Sequence, residues 1–107
     1  MHYACIVGDL KLVELLMDKG CSCNLLNLSG MSPLHYAASN GRHMICALFF
    51  NRGDAGVDFL LEDEDGNTAI DSALSSGYKE LASRLAFFSY IQLKTKRIYS
   101  LTIKSDE

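Results

Sequence analysis

The chain has 107 residues, about half of them apolar, and a formal charge of −3 from 10 basic and 13 acidic side chains. That is enough for one small domain, and it gives no electrostatic case for nucleic-acid binding. No apolar run reaches about 18 residues, and Asp9, Lys11 and Glu14 interrupt the start, so neither a membrane span nor a secretory signal is expected.

The charge is uneven. Residues 90–107 carry Lys94, Lys96, Arg97 and Lys104 against Asp106 and Glu107, so the remainder of the chain stands at −5. Four cysteines without a signal sequence favour reduced thiols and an intracellular location, in cytoplasm or nucleus.

Self-comparison finds three copies of one pattern. His2, Gly8 and Gly20 recur as His35, Gly41 and Gly53 at a spacing of 33; Gly30, Leu34 and Gly41 recur as Gly66, Ile70 and Gly77 at a spacing of 36. The three extra residues fall near Arg52–Gly56, a loop by composition.

The first copy opens on Met1-His2-Tyr3-Ala4, with Met1 in the leucine position and no lead-in. A second helix follows through Leu10, Val13 and Leu16 to a stop at Gly20. Without a Ser-Pro start, the first helix lacks a side-chain cap, a loss of about 1 kcal/mol.

The second copy is the fullest. A polar turn, Asn27-Leu28-Ser29-Gly30, leads to Ser32 as helix cap and Pro33 at the first helical position, where a missing N–H costs nothing. Leu34, Ala37 and Ala38 give a short helix with a small face, ended by Asn40-Gly41. Ile45, Leu48 and Phe49 mark the next helix, which Gly53 should stop.

In the third copy Asp63-Glu64-Asp65-Gly66 forms the turn, and Thr68-Ala69-Ile70-Asp71 replaces the fuller motif, losing both proline and histidine. Leu81 and Leu85 carry the last helix. Arg84 stands where the other copies have Leu15 and Leu48, as a terminal unit requires, and no glycine stops this helix, so it should extend to about Gln92. Beyond Tyr90 the pattern lapses. Tyr99, Leu101 and Ile103 alternate with Ser100 and Thr102 as in a strand, and partial disorder is the expectation for a basic tail over 93–107.

Ser32-Pro33-Leu34-His35-Tyr36-Ala37-Ala38, followed by Asn40-Gly41 and Gly53, resembles the TPLHxAA…G…G signature of ankyrin repeats. The resemblance implies an all-α solenoid of stacked antiparallel helix pairs joined by hairpin-like loops, with units at about 1–26, 27–62 and 63–92. Ser32, Pro33, Leu34, His35, Gly41, Gly53, Thr68 and Gly77 would be its structural positions. His35 would tie adjacent loops by hydrogen bonds, whereas the partner of His2 is open, since no loop precedes it.

The same resemblance implies a non-enzymatic module that binds another protein through its loop tips and the concave face of the first helices. Carried onto this chain, the binding positions are Tyr3, Ile6 and Val7; Leu28, Ser29, Met31, Tyr36, Ser39 and Asn40; and Glu64, Asp65, Asn67, Ser72, Ser75 and Ser76. Ile6, Val7, Leu28 and Met31 are apolar where water favours polar residues. Glu62, Asp63, Glu64 and Asp65 would suit a partner with a basic patch. The open face of the first copy also points to self-association.

Catalytic, metal and cofactor chemistry find little support. Cys21-x-Cys23 with His35 and His43 lacks the second close pair of a structural zinc site, and small apolar roles for all four cysteines are preferred. A calcium loop with Gly66 sixth would place Leu61 first and Ser72 twelfth, where acidic ligands belong. Gly53-Asp54-Ala55-Gly56 lacks the lysine of a phosphate loop. Three functional readings follow: a recruiting module, a regulatory part of a larger enzyme or channel, and, less favoured, a set of redox-sensing thiols.

Overall fold

The computed structural model describes residues 1–53 and 56–105, with side chains as far as Arg97. Asp54 and Ala55, within the expected loop near 52–56, and the final two residues of the tail lie outside the described residues.

Among the described residues six helices follow one another: α1 (His2–Val7), α2 (Leu10–Asp18), α3 (Pro33–Ser39), α4 (His43–Asn51), α5 (Ala69–Ser75) and α6 (Lys79–Ser105). They form three antiparallel pairs in two layers. The short helices stack as α1–α3–α5, and the longer ones as α2–α4–α6. The molecule measures 46 × 30 × 26 Å.

Local chemistry sets the helix starts. Asp9 accepts from the Leu12 N–H at 3.0 Å to cap α2. Ser32 accepts from the His35 N–H to cap α3, and Pro33 follows at the first position. Met1 gives α1 no side-chain cap. Between layers lies one core: Ala4, Val13, Leu34, Ala37, Ala38, Ile45, Phe49, Ala69, Ala73, Leu81 and Leu85 are buried. Alanines on α1, α3 and α5 let the short helices approach closely.

Two expectations require correction. Gly53 does not stop α4 in a left-handed turn: the helix ends at Asn51, Arg52 is its cap, and Gly53 is absent from the positive-φ glycines. The last helix also passes the end expected at Gln92. Its backbone is helical through Ser105, in place of the strand-like reading of residues 99–103.

The physical reason lies in α6 itself. Ser89 occupies the slot of the stopping glycine and donates to the Leu85 carbonyl at 2.8 Å within the helix. Phe88 stacks on Phe50 at 4.2 Å between ring centroids and meets Phe59 edge-on. Gln92 then reaches the segment 57–59, where its Nε2 donates to the Val57 carbonyl and its Oε1 accepts from the Phe59 N–H at 3.1 Å. Arg84 is exposed, as is Leu15 in the same slot of the first unit.

Candidate docking surface

The loops between pairs are two copies of one turn. Asn27 Oδ1 accepts from the Ser29 and Met31 N–H groups at 3.0 and 2.9 Å; Asp63 Oδ1 accepts from Asp65 and Asn67 at the same distances. Each turn closes by a backbone bond from residue 27 to the Met31 carbonyl, or from 63 to that of Asn67. Gly30 and Gly66 supply the left-handed position in each, at φ 76° and 80°. Asp63 therefore builds its turn, rather than adding only charge.

The turns are joined to each other. Glu64 N–H donates to the Ser29 carbonyl at 3.1 Å. A Cβ on Gly30 would sit 2.8 Å from the Glu64 nitrogen, so only glycine allows this approach; at Gly66 a Cβ would meet nothing.

Histidines provide the second link. His35 Nδ1 accepts from the Ser32 N–H at 3.0 Å, which leaves the proton on Nε2, and Nε2 donates to the Asn67 carbonyl at 2.8 Å. His2 Nε2 makes the equivalent bond to the Met31 carbonyl at 3.0 Å, which supplies the partner that the sequence left open. Asp71 stands in the same slot of the third unit. It keeps the capping half, accepting from the Thr68 N–H at 3.0 Å.

These links line up the expected binding positions along one ridge and one helix face. Tyr3, Ile6 and Val7 are exposed on α1, at 71, 37 and 46%. Leu28 is fully exposed at the first tip beside Ser29, and Glu64, Asp65 and Asn67 are exposed at the second, with Ser75 and Ser76 at the end of α5. Equivalent positions shift in character along the array: Tyr3, Tyr36, Ser72; Ile6, Ser39, Ser75; Leu28, Glu64. The face runs from apolar to hydroxyl and acidic.

Other expected positions are partly committed within the protein. The Tyr36 hydroxyl accepts from Asn27 Nδ2 at 2.7 Å, and its ring meets His2 edge-on. Ser39 Oγ and Asn40 Nδ2 both donate to the Tyr36 carbonyl, and Ser72 Oγ to that of Thr68. Met31 is half-buried, its carbonyl taken by His2.

The thiols divide. Cys5, Cys23 and Cys46 are buried, but Cys21 is exposed, which corrects the expectation of four small apolar roles. Loss of water on burial pushes Cys5 and Cys46 up to about 12 and raises Cys23 as well. Burial of this kind does not set up Cys5, Cys23 or Cys46 as a nucleophile. Among the described residues, no group of three or more His, Cys, Asp or Glu is placed to hold a metal ion.

Sequence reasoning missed three positioning side chains. Asn24 bridges to the Gly56 carbonyl and the Asp58 N–H at 2.7 and 2.8 Å, and Gln92 seals the opposite edge of that segment. Arg42 donates twice to the Ile6 carbonyl at the end of α1. None belongs to the repeating pattern; only the lack of glycine or proline after Gly77 hinted that α6 would run far enough to bring Gln92 in.

Residues 1–97 match the family model for ankyrin repeats in three copies. The chain belongs to the ankyrin-repeat family. Ankyrin repeats in general are non-catalytic protein-interaction modules. The chain is 32% identical over 77 residues, 72% of its length, to the ADP-ribosylation factor GTPase-activating protein AGD4 of Arabidopsis thaliana. It is 40% identical over 88 residues, 79% of its length, to the E3 ubiquitin-protein ligase Ufd4 of Drosophila melanogaster. It is 32% identical over 83 residues, 75% of its length, to the human transient receptor potential cation channel subfamily A member 1. This ankyrin chain spans only 10%, 3% and 7% of those relatives. Among the described residues, no helix is long and apolar enough to cross a membrane.

Proposed function

We propose that this ankyrin-repeat chain recruits another protein along the ridge of its two loop tips and the exposed face of α1, α3 and α5. The observation that carries the reading is the bonding of neighbouring loops through His35–Asn67 and Ser29–Glu64, which holds Leu28 and Glu64 on one preformed surface. A preformed surface loses little conformational freedom on binding. Three exposed carboxylates, Glu62, Glu64 and Asp65, favour a partner with a basic patch. The free cysteines support a reducing, intracellular setting.

The test is affinity capture of the partner, then titration against two variants. Leu28→Glu should weaken binding strongly. Neutralising the tip with E62Q, D63N, E64Q and D65N should slow association and flatten its salt dependence. Asn27 already performs the turn role of Asp63, so the second variant keeps its fold. Unchanged affinity and association rate in both variants would sink the proposal.

A second reading makes the chain a regulatory segment of a larger protein. The lengths of the matched relatives favour it, since each carries far more sequence than the matched part. An antibody raised against residues 1–97 that detects only a product of 107 residues in cells would refute it.

A further inference from the structure

The last helix carries a charge unlike the rest of the chain. Residues 81–105 hold five basic side chains, Arg84, Lys94, Lys96, Arg97 and Lys104, and no Asp or Glu, although the whole chain stands at −3. Among the described residues, no carboxylate pairs with Lys94, Lys96 or Arg97.

Exposed apolar side chains share that part of the helix. Phe87, Tyr90 and Leu93 are each more than half exposed on α6. At about 100° per residue, Phe87, Tyr90, Leu93, Lys94 and Arg97 fall within about a third of the circumference. The Lys94 ammonium lies 5.6 Å from the centroid of the Tyr90 ring, so cation and aromatic meet on this face. The core uses other positions: Leu81, Leu85 and Ser89 are buried, and Phe88 and Gln92 serve the segment 57–59. Leu93 to Arg97 are all exposed, more than one full turn, so the stripe is convex rather than a groove. The complement of a convex aromatic and cationic stripe is a flat, negatively charged, partly apolar surface. Rings of this kind settle at the headgroup level of a bilayer, while long Lys and Arg stems carry their charges out to the phosphates.

We propose that the outer face of α6 seats this chain on an anionic lipid surface, with Phe87, Tyr90 and Leu93 among the headgroups and Lys94, Lys96 and Arg97 at the phosphates. The stripe lies on α6, in the layer opposite α1, α3 and α5, so it stands whether or not the loop-tip ridge recruits a protein.

The experiment uses the full chain with vesicles of phosphatidylcholine alone, and of phosphatidylcholine with about one-third phosphatidylserine. Cosedimentation with the anionic vesicles should exceed that with the neutral ones by about tenfold or more. K94Q combined with R97Q, which removes two charges, should weaken it about thirtyfold. F87S combined with Y90S should weaken it about tenfold or more. The chain has no tryptophan, so Tyr90→Trp makes a single reporter, and its emission should shift to the blue on the anionic vesicles. Thermal melts of all variants should stay close to the parent, because the substituted positions are exposed. Equal binding to both vesicle types, an emission that does not shift, or binding that survives K94Q with R97Q would overturn the proposal. So would an absence of vesicle binding, and an acidic protein that then covers Tyr90 would show the stripe to be a protein-docking face.

Discussion

Replacing His35 by alanine removes two functions of one imidazole. The Ser32 N–H loses its acceptor inside the core, and the Asn67 carbonyl loses its donor across the loops. Leaving a buried donor unpaired costs about 1–3 kcal/mol. Urea denaturation of His35→Ala should show about 2–4 kcal/mol of destabilisation. His2→Ala should cost less than half as much, because His2 is half-buried and caps no helix through a preceding turn. The thiols give a second expectation. Since Cys5 and Cys46 are raised from 9.0 to about 12 by burial, their contribution to stability is complete below pH 9 and is lost as pH rises from 9 towards 12. Native titration with a thiol reagent at pH 8 should therefore modify Cys21 rapidly. The other three should react only on unfolding, and stability should fall above pH 9. Three thiols reacting at the rate of Cys21 would contradict the burial.

At the scale of elements, α6 packs on both α5 and α4. The segment 56–59 is bracketed by carboxamides, Asn24 on one edge and Gln92 on the other. Unpaired backbone groups are costly away from water, and here side chains satisfy them on both edges. Gln92→Ala should cost about 1–2 kcal/mol and speed hydrogen exchange at the Phe59 amide. Unchanged exchange at Phe59 would show that the bond carries no protection. Much of the element order was legible. Glycines recur at spacings of 33 and 36, and His2 recurs as His35, because each unit must stack on the last, and the period survives even when individual residues vary. The C-terminal third of α6 was not legible. Tyr99, Leu101 and Ile103 alternate, and period-2 alternation outweighs helical propensity in a short polar window. Gly53 follows the end of α4 by two residues, as Gly20 follows α2, but only Gly20 takes a positive φ. Of the candidate surface, sequence gave the positions by family analogy but not their state. Tyr36, Ser39 and Asn40 spend polar groups on local bonds that only coordinates display.

The whole molecule is a short array with unequal ends. At one end α6 closes the core. At the other, α1 contacts α3 and α2 contacts α4 beyond their own pair, and Leu15 on α2, Leu25 and Leu26 in the loop that follows, and Tyr3 and Val7 on α1 are exposed. Stability in such arrays is a sum of units and their interfaces, and three units lie near the minimum. We expect one cooperative unfolding transition of about 5 kcal/mol or less, at the low end for folded domains. Self-association should accompany it. Sedimentation velocity should show mass rising with concentration, and Leu15→Lys with Leu25→Lys should suppress the rise. A monomer at all concentrations would refute association through that end.

Asp71 gives the array a direction. In the first two units the imidazole at this position reaches the next loop, and in the second it also closes its own turn; in the third, a carboxylate closes the turn and has no N–H to offer. Histidine at this slot reaches the following loop, and aspartate bonds only within its own turn. Lengthening the protein by one unit therefore demands two edits made together: histidine at position 71 and a helix shortened before Gln92. Either edit alone would leave a link without a loop to receive it, or an open edge without a cover.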